Sequence, residues 1–128
     1  MKNKLIHEMG ELVLRCEKVL ANEWELLAFV FDLRDGAISN SGFLYNADKV
    51  RPASAGIEDA PLLLDNKIVE LQRVIQDECG EQFKQILIQM EKSTQKIKID
   101  FEFDGYDRWS FKPSNYAKIK AEIKPAFN

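Results

Sequence analysis

The stretch "FKQILIQMEKSTQKIKIDFEF", residues 83–103, decides the fold. Ile86, Ile88 and Met90 alternate with Gln85, Leu87 and Gln89. Past the polar turn at 92–95, Ile97, Ile99, Phe101 and Phe103 alternate with Lys98, Asp100 and Glu102. Period two is the spacing of one face of a β-strand, so the stretch predicts a hairpin.

Working outward, an earlier hairpin is also expected. Residues 23–33 are short, bulky and aromatic, as strands favour. Arg34-Asp35-Gly36-Ala37 follows, and Asp-Gly is a strong hairpin-turn signal. Residues 37–45 return as the partner strand, in which Gly42 marks a candidate bulge. Apolar residues at helical spacing from Leu5 to Leu20 predict a helix over 2–20. A second helix is expected over 61–79, with Pro61 at its start and Gly80 as its stop. Residues 46–60 show no period and read as a long functional or mobile loop. Tyr116, Ile119 and Ile123 mark a short last helix, with Ser114 or Asn115 as its cap.

The expected fold class is α+β: one domain over 1–128, in the order α-β-β-α-β-β-α, with a four-stranded antiparallel sheet packed against helices. The first two helices should cover one face. The other should be partly solvated and carry Lys98, Asp100 and Glu102.

Composition narrows the function. The net charge is −3, too acidic for direct nucleic-acid binding and suited to a basic partner. No apolar run spans a bilayer, and the N-terminus lacks a secretory core, so no membrane association and a cytoplasmic location are expected. Cys16 and Cys79 stand far apart on expected helices and read as free, buried thiols. His7 is the sole histidine. There is no nucleotide-binding glycine motif and no clustered His/Cys set, so neither a cofactor nor a catalytic residue is assigned.

The richest chemistry lies at "DFEFDGYDRW", 100–109. Asp100, Glu102, Asp104 and Gly105 fit positions 1, 3, 5 and 6 of a calcium loop. Position 9 is then Arg108 and position 12 Phe111, neither a calcium ligand, and the alternating strand cannot curl around an ion. No metal is expected there. Acids at i and i+2 on a strand stand roughly 6.5 Å apart, a separation that also suits paired catalytic carboxylates, but any polar strand face shares it. A solvated, mixed-charge strand face explains the run equally well. A recognition surface is the remaining reading: Asp104, Tyr106, Asp107 and Trp109 combine charge with large aromatics just past a strand end, as interface anchors do. Tyr106 and Trp109 could instead seal the end of the sheet. A second acidic cluster comprises Glu58, Asp59 and Asp65.

Three runs, "EWELLAFVFDLRDGAISNSGFLYN" (23–46), "LLDNKIVELQRVIQDE" (63–78) and "FKQILIQMEKSTQKIKIDFEFD" (83–104), resemble the YezG-like antitoxin and immunity proteins. The likeness rests on element order, the Glu-Trp before the first strand, and the I-x-I-D-F-x-F-D pattern followed by Arg-Trp. It covers roughly residues 5–110, and the tail after Pro113 departs from the family's pattern. What it implies is a non-enzymatic protein that binds and neutralises a cognate toxin domain, often a basic nuclease delivered by a neighbouring cell. The contact candidates on that reading are Asp100, Glu102, Asp104, Tyr106 and Asp107, with Glu58, Asp59 and Asp65. A small metal-assisted enzyme and a non-inhibitory scaffold subunit are the alternatives.

Overall fold

The computed structural model describes residues 2–34 and 37–127. The elements are α1 (Lys2–Leu14), α2 (Glu17–Ala21), β1 (Leu26–Arg34), β2 (Ala37–Asn46), β3 (Lys49–Ala53), α3 (Leu63–Cys79), β4 (Gln85–Glu91), β5 (Ile97–Glu102) and α4 (Tyr116–Glu122). The class is α+β, as the patterning indicates. The sheet is antiparallel with five strands in the order β3-β2-β1-β4-β5, so the expected four-stranded sheet gains a member. The Asp35-Gly36 turn lies outside the described residues; the flanking strands pair from Leu26↔Tyr45 to Arg34↔Ala37.

The added strand comes from the stretch read as loop. Asn46 pairs with Lys49, and the turn between them needs a left-handed backbone at Ala47 (φ 55°). Alanine rarely adopts that conformation, and neither glycine nor asparagine marks the left-handed position of the turn. β3 itself is charged, five residues long and contains Pro52, all marks of an edge strand.

Gly42 is not a bulge. It stays in register opposite Phe29, and a side chain there would meet the Ala28 carbonyl and lie 2.5 Å from the Phe29 ring. The glycine lets an aromatic ring lie flat across the neighbouring strand.

The expected first helix breaks at Arg15–Cys16. The Arg15 and Cys16 amides bond to Leu12 and Val13 three residues back, and Cys16 turns extended (ψ 141°). Up to the break, Leu5, Met9 and Val13 bury against Leu64, Ile68 and Leu71 of α3 and against Phe29, Phe31 and Ile88 of the sheet. Beyond it the stripe loses its phase. Leu20, assigned by periodicity to the core, is 72% exposed. Cys16 is buried, and burial pushes its thiol up to about 11; Cys79, expected to be buried, is exposed. Gly80 ends α3 in the left-handed conformation, with its N–H on Gln76 O at 2.8 Å.

The second sheet face is not simply solvated. Val30, Phe43, Tyr45 and Leu87 lie under Trp109, Ile119 and Ile123 from the C-terminal segment, forming a second small core. Polar side chains on that face hold the segment down. Gln89 donates to Ile123 O (2.8 Å), and the Tyr45 hydroxyl donates to Lys120 O (2.7 Å). Gln85 is fully buried; its Nε2 donates to Tyr106 O (3.0 Å), and its Oε1 accepts from the Trp109 N–H (3.3 Å). Asn115 holds the N-cap position of α4 without a capping bond. Its side chain closes the preceding turn instead, bonding Lys112 N–H and Ser110 O.

Candidate functional site

The acids that sequence singled out fall into surroundings of different kinds. Glu58 and Asp59 sit on the connection from β3 to α3, which is pinned rather than mobile. The Asn40 side chain clasps Ala55 through both its atoms (Nδ2 to O, 3.0 Å; Ala55 N–H to Oδ1, 2.7 Å). Gly56 O accepts the Glu17 amide at 2.9 Å, so α2 begins on this loop and one of its orphan donors is satisfied. Ala55 and Ile57 are buried, and Glu58 and Asp59 project exposed from that anchor.

The result is an open groove of about 760 Å³ between α2 and the loop, lined by Arg15, Glu17, Leu20, Ile57, Glu58 and Asp59. Three carboxylates against one guanidinium make it net negative. Leu20 stands in it as an exposed leucine with acids at its rim. Sequence patterning missed Leu20 because it extended the helical stripe of α1 through the break at Cys16. Asp65 lies apart from this lining, in the first turn of α3. It is half-buried, and desolvation raises its carboxyl above the ordinary value.

The run around β5 divides in a similar way. Asp100 and Glu102 lie on the second face, as alternation requires, but both are half-buried. The Glu102 side chain is only 15% exposed and faces Arg108 at 3.9 Å. Arg108 in turn lies 4.6 Å from the ring centre of the buried Trp109. Trp109 therefore seals the sheet and is no surface anchor. Tyr106 is half-buried, with the Arg34 guanidinium 4.3 Å over its ring. Asp104 and Asp107 remain accessible; the Asp107 side chain is 86% exposed, with Lys112 at 3.8 Å.

A third feature carries no sequence signal. On the second face, Asp32, Arg34, Ser39, Ser41, Gln85 and Ser110 line a cleft of about 480 Å³. Asp32 accepts from Gln85 Nε2 (3.2 Å) and pairs with Arg34 (3.4 Å), so the charges cancel within the cleft. These residues come from β1, β2, β4 and the C-terminal segment, and only the strand register brings them together.

Among the described residues, no group of three or more His, Cys, Asp or Glu side chains is placed to hold a metal ion. No helix among them is long and apolar enough to cross a membrane. The two acidic clusters lie apart: Glu58 and Asp59 follow β3 at one edge of the sheet, while Asp100 and Glu102 belong to β5 at the other. No protein-family model matches the chain, and no curated protein matches it in sequence.

Proposed function

We propose that this chain is an immunity protein that neutralises a basic toxin domain by tight, stoichiometric binding. The observation that supports this best is the groove around Leu20. An exposed leucine on a rigid support, rimmed by Glu17, Glu58 and Asp59, has the anchor-and-rim chemistry of a protein interface. A domain that binds phosphates presents cations, and acids at the rim accelerate its encounter. Asp104 and Asp107 supply a second accessible acidic point, with Tyr106 behind it. Asp100, Glu102 and Asp65, being half-buried, contribute less.

Protection requires nearly complete occupancy of the toxin. That corresponds to a Kd near about 1 nM, or roughly −12 kcal/mol. Interfaces of that strength commonly bury about 1,600 Å² in total.

The test is co-expression with a cognate toxin domain, sought as the C-terminal domain of a protein encoded beside this chain. The wild-type chain should restore growth and form a 1:1 nanomolar complex. Leu20→Asp should weaken that complex by at least about tenfold. Glu58→Lys with Asp59→Lys should slow association and reduce its salt dependence. Growth arrest that persists despite a well-expressed, folded chain would rule out the immunity reading. Full protection by both groove variants would move the contact away from Leu20.

A further inference from the structure

β5 closes one side of the sheet, and its outer edge is open. The Glu91 amide bonds to Lys96 O (3.0 Å), which fixes the alternation along the β4–β5 ladder. Lys98, Asp100 and Glu102 turn their backbone groups toward β4, and Ile97, Ile99 and Phe101 turn theirs outward. Among the described residues, no hydrogen bond outside that ladder reaches these three.

The opposite edge is different. The Leu33 amide bonds to Lys84 O (2.9 Å), so odd-numbered residues of β1 face β4 and even-numbered ones face β2. Carried through the β2–β3 register, this leaves Val50 and Pro52 pointing outward from β3. Pro52 has no N–H to offer there. β3 is thus blocked as a template for another strand, in the manner of guarded edges. β5 has no proline, and its register from Ile97 to Glu102 runs without a bulge.

The sequence of this open edge is self-complementary. In Lys96-Ile97-Lys98-Ile99-Asp100-Phe101-Glu102, charge reverses sign about Ile99 while the apolar positions match. We propose that a second copy of this chain pairs with β5 antiparallel, about a two-fold axis through Ile99, joining the two sheets into one. Lys98 then faces Asp100 of the second copy, Ile97 faces Phe101, and Lys96 faces Glu102. The outward groups of Ile97, Ile99 and Phe101 meet their counterparts as hydrogen-bonded pairs. Lys98 and Asp100 occupy the alternate positions, where side chains of facing strands are closest.

Neighbouring registers are penalised. Moving the axis to Asp100 sets that carboxylate against its own copy, and moving it to Lys98 sets two ammonium groups together. The two-fold makes each contact occur twice, as an isologous interface requires. Glu102 already faces Arg108 in its own chain, so the Lys98–Asp100 pairs carry most of the charge selectivity. A contact between two short strands falls below the roughly 1,200 Å² of a standard interface, which makes this a weak, concentration-dependent dimer. No residue of β5 lines the Leu20 groove, which is built from α2 and the loop after β3.

Sedimentation equilibrium from micromolar to millimolar protein tests the assembly, alongside hydrogen exchange. The expected result is a reversible dimer in which the amides of Ile97, Ile99 and Phe101 gain protection as concentration rises, while that of Val50 does not. Asp100→Lys should weaken dimerisation at least about tenfold by opposing lysines across the axis. Lys98→Asp combined with Asp100→Lys should restore it, and circular dichroism would establish that both variants fold. A wild-type chain that stays monomeric at millimolar concentration overturns the proposal, as does a dimer indifferent to Asp100→Lys.

Discussion

Gln85→Leu removes one polar side chain at nearly constant volume and should detach the C-terminal segment from the sheet. Gln85 is fully buried and bonds Tyr106 O, Asp32, Ser110 and the Trp109 N–H. Three of these retain other partners. Tyr106 O still accepts from Arg34 and from the Ser110 hydroxyl, and Asp32 keeps Arg34. Trp109 N–H has no substitute, and its residue is buried. An orphaned buried donor costs about 1–3 kcal/mol, and losing the Tyr106 bond adds about 1 kcal/mol. The sum is about 3 kcal/mol. At about 2.1 cal/mol/K of unfolding entropy per residue, this chain should lose about 11 °C in Tm. Urea unfolding followed by tryptophan fluorescence, with calorimetry, measures both quantities. Gln89→Leu is the internal control: it frees only the Ile123 carbonyl, so about 1 kcal/mol is expected. A Gln85→Leu variant within about 0.5 kcal/mol of wild type, the range of ordinary surface changes, would refute the idea that this glutamine holds the segment down.

Gly42→Ala should cost more than about 3 kcal/mol or prevent folding, since the new methyl meets the Ala28 carbonyl and the Phe29 ring at once; soluble yield and thermal melting report it. Asp65 offers a pH test. Its folded carboxyl titrates above the ordinary value because burial disfavours its charge, so folding favours the protonated form. Its favourable contribution is therefore complete below the unfolded pKa and fades as pH rises through the folded one. Asp65→Asn should equal wild type near about pH 3 and be the more stable variant at about pH 7, as paired urea titrations would show.

The parts of the fold legible in sequence are those where one period holds from end to end. β4 and β5 alternate without interruption, and α3 keeps Leu64, Ile68, Leu71 and Ile75 in phase until Gly80 stops it. What escaped sequence reading has a physical reason in each case. β3 satisfies its backbone on one side only and buries little, so it needs no hydrophobic pattern. The break at Cys16 is held by Gly56, far later in the chain, through the Glu17 amide. A local pattern carries no trace of such a partner. Gln85 and Gln89 misled for the opposite reason: their polarity reads as solvent exposure, yet their partners are backbone groups of residues 106–123.

The same distinction governs the acidic residues. Alternation correctly placed Asp100 and Glu102 on the second face, but it could not foresee that Arg108 and Trp109 fold back beside them. Of the candidate acids, the exposed ones are Glu58, Asp59, Asp104 and Asp107, and all four lie outside the regular strands, where loops present charge on a rigid frame. If recognition uses these loop acids, β5 keeps its charges for another purpose. With lysines before Ile99 and carboxylates after it, only the register centred on Ile99 sets every one of these charges against its opposite. An edge strand selected only for solubility gains nothing from that order, because any mixture of charges discourages aggregation. Exchanging Lys98 and Asp100 leaves composition, net charge and strand alternation unchanged, and it preserves self-complementarity. Exchanging Lys96 with Asp100 also preserves composition, but it sets Lys98 against the ammonium moved to position 100 of the second copy, and Glu102 against the carboxylate moved to position 96, while leaving the Glu102–Arg108 contact in place. On the edge-pairing argument the first exchange retains the dimer and the second loses it, whereas a strand whose charges serve solubility alone would not distinguish them.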